Sequence, residues 1–196
     1  MQTTISAILD FWFGQDNSAA AISKQQALWF VASADTDNEI RSRFERHVIA
    51  ALNEKYKDWR NTAHGCLALI LLLDQFTRNI YRKSHIAYSG DTLAIILCDF
   101  GIKAGHDQVL SVAQRSFFYM PLEHSESLEH QEKSVQLFTK LVAQPPEEHQ
   151  KLAENPYDYA LQHHDIIARF NRFPHRNAVS GRDSTVEKKP TWKTSE

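Results

Sequence analysis

Apolar positions recur every three or four residues along most of the chain. Ile5, Ile8, Leu9 and Trp12 form one helical stripe, and Gly14 supplies a C-terminal stop. Ser23 with Gln26 has capping-box spacing and predicts the start of a second helix carrying Leu28 and Trp29. Thr36 with Glu39 repeats the signal ahead of Ile40, Phe44, Val48, Ala51 and Leu52. From Cys66 to Leu73 no side chain is polar, in a helix starting near Thr62. A helix apolar on every face is buried on every side, which places this one at the centre. Ser89-Gly90-Asp91 reads as a turn and cap before the stripe Leu93, Ile96, Leu97 and Phe100. Ser111 caps a short helix through Phe117, with Pro121 as its end.

Leu128, Gln131, Val135, Phe138 and Val142 share one helical face, so one member of an apolar stripe is a glutamine. Pro145-Pro146 breaks the chain, and a polar loop runs to Asn155. Asn155-Pro156 predicts a cap with proline at the first helical position. The helix after it buries Tyr157, Ala160, Leu161, Ile167 and Ala168, with His164 in the stripe. Asn171 and Pro174 end it, because asparagine tolerates the left-handed conformation of a C-terminal cap. No β-type alternation bounded by turns is found. The expected fold is all-α: about eight helices packed as antiparallel neighbours around one buried central helix. Residues 1–182 form a single domain, and 183–196 a polar, lysine-rich tail. No clean repeat at 34 residues shows in the periodicity.

Charge narrows the function. There are 22 Lys+Arg against 24 Asp+Glu, a formal net charge of −2, with no general electrostatic reason to bind nucleic acid or anionic membrane. The N-terminus lacks the basic and apolar regions of a signal peptide, and the longest apolar run is too short to span a bilayer. Cys66 and Cys98 lie in apolar helical runs and read as core residues in a reducing compartment. The expectation is a soluble, cytoplasmic protein.

Three stretches put polar groups where burial is expected. One is Asp74, Gln75, Arg78 and Asn79, where Asp74 and Arg78 share a face of any continuous helix. The second runs from Arg115 through Glu123, His124 and Glu126 to Gln131; the third holds His164, Arg172, His175, Arg176, Asn177 and Arg182. The chain from Glu123 to Asp158 is mostly acidic and from Arg169 onward mostly basic, so the simplest inference is that they meet. One reading is purely structural, with arginine forks locking loops onto the core through carboxylates. The other is a pocket in which Arg78, Arg172 and Arg176 bind an anion and Glu123 with His124 or His164 does acid–base work. Asp74, Asn79, Glu126, Gln131, His175, Asn177 and Arg182 complete that ligand-binding set. His163-His164 with Glu123, His124 and His175 lack the HExxH, CxxC and Glu-x-x-His spacings of metal sites, and no metal ligand or cofactor is assigned.

Leu9-Asp-Phe-Trp-Phe-Gly14, Leu67–Arg82, Arg115–Glu126 and Arg169–Arg182 together resemble the bacterial "domain of unknown function 924" family. The resemblance runs to about Glu187. It implies an all-helical fold like that of tetratricopeptide-repeat proteins and no established activity, substrate or cofactor. The family's polar motif positions match Asp74, Gln75, Arg78, Asn79, Glu123, His124, Glu126, His164, Arg172, His175, Arg176, Asn177 and Arg182. The family pattern usually has proline at Thr77 and glycine at Asn171. Proline would break the helix after Asp74, so the resemblance leaves open whether Asp74 and Arg78 share one helix. Two functions stand side by side: a pocket for a small anionic molecule, extending to an enzyme, and a scaffold for a protein partner. Oligomeric state is left open.

Overall fold

The computed structural model describes residues 2–15, 19–143 and 150–184. All regular structure among them is helical. The helices are α1 (Gln2–Phe13), α2 (Ala19–Phe30), α3 (Ala34–Leu52), α4 (Ala63–Ile70), α5 (Thr77–Ile80), α6 (Asp91–Lys103), α7 (Val112–Glu123), α8 (Leu128–Val142) and α9 (Gln150–Phe170). A π-helical segment, Leu71–Phe76, joins α4 to α5 without a break. Counted as one helix, these three make eight among the described residues.

The central helix is the predicted one. Thr62 caps it by accepting from the Gly65 amide. Gly65 to Asp74 are all buried. α1, α6 and α7 pack on α4, while α3 packs on the π segment and α5. Aromatic rings fill the space between them: Trp12 meets Phe76 and Phe117, each at 5.4 Å, and Phe44 meets Phe76 at 5.1 Å. Cys66 and Cys98 are buried free thiols, and burial pushes the Cys66 thiol up to about 12.

The helix continues past Asp74 because Thr77 permits it. Its hydroxyl donates to the carbonyls of Leu73 (2.8 Å) and Asp74 (3.2 Å) inside the last turns. A π segment adds a residue to the turn, and such segments are frequent at functional sites. Here it ends in Asp74, Gln75 and Phe76.

Four expected boundaries shift. α2 is already helical at Ala19, so Ser23 lies inside it rather than at its cap. Ser33, not Thr36, caps α3, its side chain accepting from the Thr36 amide. α7 has the expected Ser111–Gln114 capping box but runs on to Glu123 with Pro121 inside it. Pro121 withholds one amide bond only two residues from the helix end. The continuous burial of Ser116–Glu123 outweighs that loss. α9 is helical from Gln150, so Asn155-Pro156 lies within it; the expected break at Pro145-Pro146 lies outside the described residues. Packing of α9 against α8 and α7 overrides the local preference of an Asn-Pro step. Asn171 ends α9 with φ +52°, as its role requires. Asp183 and Ser184 accept from the Asn177 amide group; the rest of the expected tail lies outside the described residues.

Candidate functional site

A cavity of about 380 Å³ opens where the chain's polar stretches meet. Leu28 to Ala32 at the end of α2 form an apolar wall that includes Trp29. The π segment, α5 and the turn after it supply Gln75, Arg78, Asn79, Arg82 and Lys83. Met120, Glu123 and His124 come from the end of α7, and Tyr159, Gln162, His163 and Ile166 from α9. Tyr88, His175 and Val179 close the ring. The volume suits a small molecule.

Asp74 anchors one side and is fully buried. Its Oδ1 meets His124 Nδ1 at 2.8 Å and Arg78 Nη1 at 3.1 Å, and its Oδ2 accepts from Gln75 at 2.6 Å. Burial alone would raise its pKa; Arg78, His124 and Gln75 overcome that and hold it at about 2. An ionised carboxylate only accepts hydrogen bonds, so His124 Nδ1 carries the proton in this pair. Nε2 is then the nitrogen through which His124 exchanges a proton.

Arg78 bridges two carboxylates. Besides Asp74 it makes a bidentate pair with Asp91, at 3.0 and 3.2 Å. Burial, reinforced by the Asp74 charge, raises the Asp91 pKa despite Arg78 and Arg176. Gly90 makes this approach possible. A Cβ there would sit 2.2 Å from the Leu73 carbonyl oxygen, so only glycine lets the start of α6 press against the π segment. Asp37 binds Arg82 through both oxygens and accepts from Asn79.

A second carboxylate–imidazole pair sits beside the first. His163 Nδ1 lies 2.9 Å from Glu123 Oε1 and 2.9 Å from the Tyr159 carbonyl. Both neighbours are acceptors, so Nδ1 is again the protonated nitrogen. The His124 and His163 rings are 6.3 Å apart. Glu123 is 3% exposed, and its Oε2 has no hydrogen-bond partner among the described residues. Both side chains depend on the end of α7, where backbone carbonyls lack helical partners. Gln131 supplies them: its Nε2 donates to Glu123 O and Ser125 O, each at 2.6 Å. That is the role of the glutamine in the apolar stripe of α8. Arg176 donates to His124 O at 2.9 Å and lies over the Tyr88 and Phe173 rings.

The structure brings five of the candidate residues to the cavity wall: Arg78, Asn79, Glu123, His124 and His175. Asp74 stands behind His124. Gln131 and Arg176 are buried braces for the end of α7. Glu126 accepts from the Phe173 amide and from Arg182, fastening the C-terminal segment to the core. Asn177 holds Asp183 and Ser184. Arg172 and His164 are not among the lining residues; His164 faces Asp165, 3.4 Å away. Among the described residues no group of three His, Cys, Asp or Glu is arranged to hold a metal ion.

The sequence model of bacterial proteins of unknown function, DUF924, matches residues 8–194. The chain belongs to that family. A solved structure similar to this chain is that of a protein of unknown function, ATU0120, from Agrobacterium tumefaciens. It is 34% identical, with a TM-score of 0.80 over 95% of this chain and 94% of that one. No curated protein matches. The family match continues past Glu187, where the resemblance read from the motifs was expected to stop. Among the described residues of this DUF924 chain no helix is long and apolar enough to cross a membrane.

Asp91, Arg82, Lys83, Trp29 and Tyr88 escaped sequence reasoning as site residues. Asp91 reads as an ordinary helix start, and its distance from Arg78 along the chain hides their pairing. His163 had a signal. Pro156, Tyr159, His163 and Ile166 recur at i, i+3, i+7 and i+10, a stripe one position out of phase with the one containing His164.

Proposed function

We propose that this cavity binds a small anionic molecule. The observation that carries this reading is the charge of its lining. Arg78, Arg82, Lys83, His124, His163 and His175 stand on the wall against one carboxylate, Glu123. Arg78 and Arg82 are partly neutralised by Asp91, Asp74 and Asp37, and their pairing holds the guanidinium groups in place as hydrogen-bond donors. The apolar wall around Trp29 offers a surface for the remainder of the molecule. Two imidazoles held by carboxylates supply the groups an acid–base enzyme needs, and the reading extends to catalysis at this site. The buried free thiols suit a cytoplasmic protein.

The test is a thermal-shift series with phosphate, sulfate, small carboxylates, divalent metals and EDTA. An anion at about 100 times its Kd stabilises the fold by about 2.7 kcal/mol. The expected result is such a shift, reduced in Lys83→Ala and Arg82→Ala. A flat series with every anion overturns the reading in favour of an internal ion-pair network on a protein-binding scaffold.

A further inference from the structure

We propose that the anion is a small organic phosphate, and that it binds together with a proton taken up by the His124–His163 pair. This deepens the anion-site reading and rests on it.

The first support is the kind of cationic and titratable groups. One guanidinium fork satisfies a carboxylate. On this wall the forks of Arg78 and Arg82 are already taken by Asp91 and Asp37, and the groups beside them are the ammonium of Lys83 and three imidazoles, each a single-point donor. Single-point donors suit the three separated oxygens of a phosphate better than a planar carboxylate. The second support is geometric. Each ring is held through Nδ1, by Asp74 or by Glu123, so each exchanges protons through Nε2. The rings line one cavity 6.3 Å apart, close enough for one anion to feel both. The third is Glu123: buried, with Oε2 lacking a partner among the described residues, it favours a charged imidazole beside it.

The groups facing the pair set the balance. Asp74 from the central helix, Asp91 from α6 and Glu123 from α7 bring negative charge to it; Arg78, Arg82, Lys83, His175 and Arg176 stand on the cationic side. An incoming dianion tips this balance toward the imidazolium. A buffer molecule gives up a proton, an Nε2–H bond forms on one ring, and the phosphate stays dianionic.

The experiment is calorimetric titration of the full chain with inorganic phosphate, phenyl phosphate, sulfate and succinate at about pH 8, where phosphate is mostly dianionic. Two buffers of different ionisation heat give the proton count. The expected result is phosphate binding with net uptake of a substantial fraction of one proton. Phenyl phosphate should bind ~10-fold tighter than phosphate through the apolar wall. His163→Gln and His124→Gln should each lower the proton count. Phosphate binding with no uptake in the unaltered chain overturns the proton coupling and leaves the anion site standing. Binding of succinate without phosphate overturns the phosphate class alone. No binding of any anion overturns the underlying reading as well.

Discussion

His124 Nδ1 lies 2.8 Å from an oxygen of Asp74, a carboxylate with no exposed surface, fifty residues earlier in the chain. This bond ties the end of α7 to the π segment of the central helix. Without its partners Asp74 would be an unpaired buried charge, which a folded chain does not tolerate.

Replacing Asp74 with asparagine therefore removes one half of a buried network. The expected cost at neutral pH is about 3–5 kcal/mol by denaturant unfolding. The pH dependence has a fixed sign. The folded pKa, about 2, lies below the unfolded value, so the stabilisation is complete above the unfolded pKa. It is lost as pH falls through about 2. This titrating part amounts to about 2–3 kcal/mol. The gap between the native chain and Asp74→Asn should narrow as pH drops below ~4. A gap unchanged across that window contradicts the assignment.

Gln131→Leu keeps the apolar stripe of α8 and removes the donor that meets Glu123 O and Ser125 O. Two buried carbonyls are left without it. The expected loss is about 1–3 kcal/mol, read from the urea midpoint. A gain in stability would show that these carbonyls find other partners.

Gly90→Ala places a methyl group against the Leu73 carbonyl oxygen, which is backbone and cannot swing aside. The start of α6 must retreat, carrying Asp91 from Arg78. Overpacking of this kind costs about 1–3 kcal/mol. A lowered melting temperature is expected, with anion affinity reduced at the same time.

Glu126→Ala frees the Phe173 amide and Arg182 together. Amide hydrogen exchange at Phe173 should quicken by ~10-fold or more, while that of the central helix stays unchanged. Uniform acceleration across the protein would mean that Glu126 supports the whole fold rather than the C-terminal segment.

Much of the fold was legible because it follows from local periodicity. The apolar run Cys66–Leu73, the Thr62 and Ser111 caps and the Asn171 stop all appear where their residues suggest. Two of the four misread boundaries, those of α7 and α9, share one cause. Pro121 and Pro156 disfavour helix locally, and the burial of the helices around them outweighs that preference. The site was half legible. Asp74, Arg78, Glu123 and His124 stood out as charge beside apolar runs. His163 was named only beside His164 as a metal candidate, because the apolar stripe through Ala160 and Ile167, both fully buried, carries His164 and not its neighbour one position earlier, about 100° round the helix.

The sequence alone determined an all-α chain with a wholly buried central helix, because the period and polarity of its side chains dictate both. It also determined that polar groups would collect where that helix runs out of apolar residues. Only the tertiary structure decided which of them face the cavity and which brace it. Arg176, Gln131 and Glu126 became braces for the ends of helices, and His163 and Asp91 joined the site. Those roles depend on distances between residues far apart in the chain. Such distances are set by close packing, down to the missing Cβ of Gly90, and no local pattern encodes them.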